Sequence, residues 1–117
     1  MRVKLFNSWI TIELIDAHDD AWEKEFYPKG TDSDEHFIGK TYHETNHIVV
    51  KKWLQPSREK HTVLHELIHA ILFETGHEHD EGTIDAISTG IINLFENNQK
   101  LGEYLVSDYS LERDDED

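Results

Sequence analysis

The stretch between Pro56 and Gly76 constrains the fold more than any other part of the chain. Its apolar residues recur at the spacing of a buried helix; they are Val63, Leu64, Leu67, Ile68, Ile71 and Leu72. Ser57 is a suitable N-cap, and Gly76 is a suitable residue to end the helix. Because apolar residues lie on both flanks, we predict a helix at the centre of a small domain.

Two histidines and a glutamate interrupt this apolar pattern in the order His65-Glu66-Leu67-Ile68-His69. Histidines four residues apart lie one turn apart on a helix, so both imidazoles can reach a single metal ion. Glu66 is rotated by about 100° from His65, where its carboxylate can approach a metal-activated water without binding the metal. Polar groups within an apolar helix are costly without partners. The pattern therefore predicts one zinc ion, with Glu66 as the general base.

A catalytic zinc ion usually has three protein ligands, and the third is expected after the chain turns back at Gly76. A second helix is predicted from about Glu81 to Asn97, with an apolar stripe formed by Ile84, Ile87, Ile91, Leu94 and Phe95. Glu81 and Asp85 lie one turn apart near its start. Glu81 is the preferred third ligand, and Asp85 is expected to hold a ligating histidine by its other ring nitrogen.

Three residues around the predicted connection between the helices compete with Glu81 as the third ligand: His77, His79 and Asp80. A third histidine would serve zinc as well as a carboxylate. However, His77 and His79 follow Gly76 directly, in a predicted loop where histidines are often simply exposed.

The remaining periodic segments predict short strands. Ile10, Ile12 and Leu14 alternate with polar residues, which predicts a strand within residues 3–15. Residues 37–42 and 48–52 are predicted to pair as a hairpin around a turn at residues 43–46. The predicted fold class is α+β, a zincin-like sheet of about three strands packed on the active-site helix, with a second helix that supplies a metal ligand. We expect residues 1–107 to form one domain.

Two polar segments are not expected to contribute to the core. Residues 16–34 carry Pro28 and Gly30, and we interpret them as a loop with a short helix around residues 22–26. Residues 108–117 are strongly acidic, and we expect a disordered tail.

Composition limits both the chemistry and the partners. The chain has no cysteine, which excludes disulfides and thiolate metal sites and leaves His, Asp and Glu as metal donors. Its formal charge of −14 repels nucleic acid and anionic membranes. No apolar stretch approaches transmembrane length, and polar residues interrupt the N-terminal apolar run. We therefore expect a cytoplasmic protein that acts on a protein or peptide substrate, with no nucleic-acid or membrane partner.

The stretch Thr62-Val-Leu-His-Glu-Leu-Ile-His-Ala-Ile-Leu, followed by Glu81-Gly-Thr-Ile-Asp-Ala-Ile-Ser, resembles the HExxH zincins (gluzincins) of the ImmA/IrrE type. The likeness is greatest to the minimal versions from phages and prophages of Gram-positive bacteria, which would place the chain in a host cytoplasm. It covers roughly residues 37–98. The resemblance implies a zinc metallopeptidase with His65, His69 and Glu81 as ligands and a supporting carboxylate at Asp85. It also implies that the edge strand of the hairpin borders the cleft.

Two features depart from this family. Larger members carry a DNA-binding or sensor domain, for which 117 residues leave no room, and Ser88 stands where many relatives have alanine. SprT-like proteases also share the HExxH pattern, but they favour basic surfaces, and the charge of −14 argues against that group.

Two other functions stay open at the level of sequence. One is a non-catalytic metal-binding module, such as a phage factor that sequesters a host protein, and the other is a metal-free structural domain. Glu66 favours the enzyme, because a pure binding site needs no base. His43 and His47 flank the predicted turn and are candidates for stabilising an oxyanion, as are Tyr42, Tyr104 and Tyr109.

Overall fold

The structure is a computed structural model, and it describes residues 1–15, 38–52 and 54–108. Four strands come first, at β1 (Arg2–Leu5), β2 (Ser8–Ile15), β3 (Gly39–Tyr42) and β4 (His47–Lys51). Three helices follow, at α1 (Pro56–Thr75), α2 (Glu81–Asn97) and α3 (Gln99–Val106). The small α+β arrangement that the sequence predicts is therefore confirmed. The predicted loop and short helix within residues 16–34, and nearly all of the predicted acidic tail, lie outside the described residues.

The four strands form one sheet in the order β1-β2-β4-β3. β1 pairs antiparallel with β2, β2 pairs parallel with β4, and β3 pairs antiparallel with β4. The predicted hairpin of β3 and β4 is confirmed, with its turn at residues 43–46. Within the described ranges, β3 is an edge strand of the sheet, and it lies on the side that carries the candidate site.

The sheet has four strands where the sequence predicted about three, because the N-terminal segment folds as two strands. Phe6 and Asn7 form a tight turn between β1 and β2, and Phe6 adopts a left-handed backbone with φ of 55°. A turn this short returns the chain directly onto itself. The register Val3↔Ile10 then places apolar residues opposite each other, which stabilises the additional pair.

The first helix begins slightly before the predicted N-cap. Gln55 is the N-cap residue and makes no side-chain capping bond, whereas the sequence predicted Ser57 for that role. Pro56 explains the difference, because proline at the first helical position has a suitable φ and loses no hydrogen bond there. The C-terminal prediction is confirmed, since Gly76 adopts φ of 73° and the N–H of His77 donates to the carbonyl of Leu72 at 2.9 Å.

The core lies between the sheet and one face of α1. Ile10, Ile12, Ile48 and Val50 project from β2 and β4 and pack with Ala70 of α1. Helix α2 packs on α1 and buries Ile84 and Ser88, whereas Ile87, Leu94 and Phe95 of the predicted apolar stripe are exposed. Ser88 donates to the carbonyl of Ile84 at 2.8 Å, which satisfies its hydroxyl within the buried contact. None of the described helices is long and apolar enough to cross a membrane.

Candidate metal centre

Helix α1 holds His65 and His69 on one face, close to the surface but largely covered. Their ring centroids lie 5.1 Å apart, and their side chains are 18% and 13% exposed. The apolar residues of the same helix pack against the sheet, which fixes the direction in which the two rings point. The predicted pair therefore presents its nitrogens toward one point outside the helix.

Helix α2 brings Glu81 to that point. Oε1 of Glu81 lies 3.0 Å from Nε2 of His65, and Oε2 lies 3.0 Å from Nε2 of His69. Asp80 fixes this start of the helix, because its Oδ2 accepts hydrogen bonds from the backbone N–H and the hydroxyl of Thr83. One carboxylate thus faces the Nε2 atoms of both histidines, and the three residues predicted as ligands lie together.

The donor set of two imidazoles and one carboxylate fits a divalent cation such as zinc. Ligand atoms of His65, Glu66 and His69 also lie within 4.8 Å of one another, so the carboxylate of Glu66 is close to the same point. Burial alone would raise the pKa of Glu81. The hydrogen bond from His65 and the charges of His69 and His65 outweigh that effect and lower the pKa, so the anionic form that a cation needs is favoured.

Glu66 lies on the inner side of α1 and is only 7% exposed. Its Oε1 accepts a 2.6 Å hydrogen bond from the hydroxyl of Thr41 on β3. Burial is the main cause that raises the pKa of Glu66, and the Thr41 hydrogen bond opposes it. The carboxylate is therefore held in place by the strand but is more basic than an exposed glutamate.

Gly39 explains how the strand can approach the helix so closely. A Cβ at this position would overlap with Cγ2 of Thr62 and would lie 3.2 Å from Cγ of Glu66. Gly39 and Thr41 are two residues apart and so face the same side of β3. β3 thus covers Glu66 with Gly39, which has no side chain, and with Thr41, which donates a hydrogen bond.

Asp85 lies at the other ring nitrogen of His65, where the sequence predicted a supporting carboxylate. Its Oδ1 is 3.6 Å from Nδ1 of His65 and 3.3 Å from Nε2 of His61. Ligand atoms of His61, His65 and Asp85 lie within 4.8 Å of one another. Since Nε2 of His65 faces Glu81, we interpret this group as a support for His65. No role was predicted for His61, although its position one turn before His65 on the same helix could have indicated one.

The three residues that compete with Glu81 as the third ligand have other partners. His77 contacts the hydroxyl of Thr75 at 2.9 Å through Nδ1, and Asp80 caps α2. His79 is close to the centre, but its Nδ1 lies 2.8 Å from Nδ1 of His69, on the opposite side of that ring from Glu81. Of the four candidates for the third ligand, Glu81 is the one that faces Nε2 of both His65 and His69.

The predicted hairpin lines an open cleft of about 260 Å³ beside these residues. The lining residues are Gly39, Lys40, Thr41, His43, Glu66, His69 and Glu81. His43 stacks on Phe73 with ring centroids 4.2 Å apart, and burial, followed by the charges of His79 and His69, lowers its pKa. His47 instead contacts the carbonyl of Thr45 at 2.9 Å and does not line this cleft.

The geometry of the cleft does not support the tyrosines that were predicted as candidates for stabilising an oxyanion. Neither Tyr42 nor Tyr104 is among the residues that line the cleft. Tyr42 is 4% exposed, on the sheet, and Tyr104 lies on α3. Tyr109 falls outside the described residues.

Comparison with known proteins supports the metal-binding interpretation of this cleft. Residues 24–97, more than half of the chain, match the model of the IrrE N-terminal-like domain, a peptidase family (Peptidase_M78). No match was found among curated proteins or among solved structures. The matched range includes His65, Glu66, His69, Glu81 and Asp85. The chain therefore belongs to the Peptidase_M78 family, which agrees with the predicted resemblance and with a metallopeptidase type of function.

Proposed function

We propose that this protein is a zinc-dependent peptidase in which His65, His69 and Glu81 bind the ion. The observation that carries the proposal is the position of the Glu81 carboxylate, 3.0 Å from Nε2 of each histidine. When bound, zinc would act as a Lewis acid that makes a water molecule more acidic and polarises a carbonyl group. Two histidines and one acidic residue leave a coordination position open for this chemistry.

Glu66 is the proposed general base. Its carboxylate lines the cleft beside His69, and burial raises its pKa toward the range in which a carboxylate can both accept and return a proton. In this role Glu66 takes a proton from the attacking water and delivers it to the leaving amine. Thr41 keeps Oε1 in place, so the remaining oxygen can serve the reacting groups.

The proposed substrate is an extended peptide that lies along β3. Gly39, Lys40 and Thr41 of this strand line the cleft, and β3 is the outermost strand next to α1 in the described part of the sheet. An extended peptide beside such a strand can gain main-chain hydrogen bonds, while its side chains alternate between the cleft and solvent. The net charge of −14 favours neutral or basic peptides and disfavours nucleic acid.

A metal-binding module that sequesters another protein is the second candidate. It would share the ligands, but it would not need a buried carboxylate beside the metal. Burying a carboxylate opposes folding unless its partners offset the cost, and here Gly39 and Thr41 are arranged around Glu66. That arrangement favours the enzyme.

Glu66→Gln separates the two functions, because it keeps the size of the side chain and removes the base. We expect the variant to bind one zinc ion and to remain folded, while peptide hydrolysis falls by several orders of magnitude. Activity would be measured by labelling the new N-termini that appear when purified protein is incubated with a cell lysate. Glu96→Gln, at an exposed position on α2, is the matched control and should keep wild-type cleavage. Equal sets of new N-termini with wild type and Glu66→Gln would reject the peptidase.

A further inference from the structure

His79 makes a close contact with the proposed zinc ligand His69 from outside the ligand set. Its Nδ1 lies 2.8 Å from Nδ1 of His69, and the two rings are nearly coplanar, with an interplanar angle of 15°. A distance of 2.8 Å between two ring nitrogens requires one of them to donate a proton to the other. The direction of that hydrogen bond determines what His79 does.

The orientation of His69 sets this direction. Its Nε2 faces Glu81 at 3.0 Å, so Nε2 is the nitrogen that would bind a metal ion held between these residues. The proton of the neutral ring must then be on Nδ1, which becomes the donor. Nδ1 of His79 accepts this bond, and the proton of the His79 ring is therefore on its own Nε2.

The backbone is fixed both before and after His79 in the sequence. Gly76 turns the backbone at the end of α1, and Asp80 caps α2 directly after His79. The ring of His43 meets the ring of His79 edge-on at 5.8 Å between centroids, and His43 itself stacks on Phe73 at 4.2 Å. A line of aromatic contacts thus connects the β3–β4 turn to His69.

We propose that His79 is a positioning residue that holds His69 for metal binding by accepting a hydrogen bond from its Nδ1–H. The inference rests on the proposed ligand set, in which His69 uses Nε2. It gives His69 the kind of support that Asp85 gives to His65 on the other side of the centre. A metal-ligating histidine whose second nitrogen is bonded keeps its ring orientation and binds the metal more strongly.

Zinc affinity, measured by competition with a chromophoric chelator, tests the hydrogen bond. His79→Phe keeps an aromatic ring but cannot accept, and we expect its affinity to fall about ten- to a hundredfold. His79→Asn should keep most of the affinity, because the amide oxygen can take the place of Nδ1 as acceptor. His77→Ala, at the neighbouring histidine that contacts Thr75, is the control and should bind zinc like the wild type.

Nitrogen-15 NMR of the zinc-loaded wild type gives a second readout that depends on no substitution. We expect the proton of His69 on Nδ1 and the proton of His79 on Nε2. A proton on Nδ1 of His79, or wild-type affinity in His79→Phe, would overturn the proposal. Failure of the ligand set itself would look different, because Glu81→Ala would then retain zinc with wild-type affinity.

Discussion

The hydroxyl of Thr41 donates a 2.6 Å hydrogen bond to the carboxylate of Glu66 across 25 residues of sequence. Thr41 belongs to the strand that we propose to bind the peptide, and Glu66 to the helix that carries both histidines. The same hydroxyl lies 3.2 Å from the backbone carbonyl of Glu66. A substrate that shifts this strand would therefore also shift the proposed general base.

Thr41→Val should reduce catalysis while leaving the metal bound. A hydrogen bond to a charged group contributes about 1.5–3 kcal/mol, so we expect kcat to fall by roughly ten- to a hundredfold. Zinc affinity should change little, because the recorded hydrogen bonds of the Thr41 hydroxyl are to Glu66 and not to the proposed zinc ligands. The measurements are kcat on a peptide identified by N-terminal labelling and zinc content by elemental analysis.

Thr41→Ser supplies the control for this prediction. Serine keeps the hydroxyl, so cleavage should recover most of the wild-type rate even if the loss of the methyl group lowers stability. If the valine and serine variants cleave equally well, the hydrogen bond to Glu66 has no part in catalysis.

Gly39→Ala should destabilise the fold, because the added Cβ would overlap with Cγ2 of Thr62. Overpacking of this kind costs about 1–3 kcal/mol, and the free energy of unfolding from urea denaturation would measure it. Combining Gly39→Ala with Thr62→Ser removes the methyl group that clashes and should restore part of the stability.

Gly90→Ala is the matched glycine control on α2. Apart from its chain neighbours and the backbone of its own helix, no heavy atom of the described residues lies within 4 Å of a Cβ built there, and alanine is the better helix former by up to about 1 kcal/mol. We expect this substitution to be neutral or stabilising. Equal destabilisation by both substitutions would show that the approach of β3 to α1 is not the cause.

The purified protein should contain one zinc ion per chain and lose it in acid. Histidine ligands must be neutral to bind, so protons compete for Nε2 of His65 and His69 as the pH falls. The pKa of Glu81 is lowered in the folded protein because the histidine hydrogen bonds and charges outweigh burial, so its carboxylate stays ionised to a lower pH than that of an exposed glutamate. Elemental analysis across a pH series measures the loss, and a protein that neither contains nor takes up a divalent metal at neutral pH would remove the zinc site.

Glu81→Ala and Asp85→Ala should weaken zinc binding to different degrees. Glu81 faces both Nε2 atoms, so its removal deletes a ligand and should abolish tight binding. Within the described residues, Asp85 lies at Nδ1 of His65 and Nε2 of His61, and its removal should cost about ten- to a hundredfold in affinity. Isothermal titration with zinc distinguishes the two, and the opposite order would exchange the roles assigned to these carboxylates.

Helical periodicity was enough to predict much of the candidate site. The spacing of His65 and His69, the stop at Gly76 and the carboxylates at the start of α2 are local patterns within one pair of helices. Each of these patterns lies within one helix or at its end, over positions a turn or two apart, and the packing of the two helices brings the residues together. The turn at Phe6 and Asn7 was missed because the two-residue turn contains neither glycine nor proline to mark it.

The contacts that complete the site could not be predicted in the same way. Whether Thr41 or its neighbour on β3 faces Glu66 depends on the register of the strand against the helix, and a shift by one residue would reverse it. The ring orientations of His61 and His79 depend likewise on packing between elements. Sequence alone could identify these residue types but could not place their nitrogens.

The parallel pairing of β2 with β4 has a consequence for how the molecule assembles. This pair joins Thr11 to His47 and cannot form until the intervening chain has closed a long loop. By contrast, His65 and Glu81 are only 16 residues apart, on two consecutive helices. The metal donors can therefore come together at a small entropic cost, whereas β4, the partner of the strand that covers Glu66, is fixed in the sheet by the non-local step. A chain in which this step is incomplete would hold its metal donors together while the cover over Glu66 is not yet fixed.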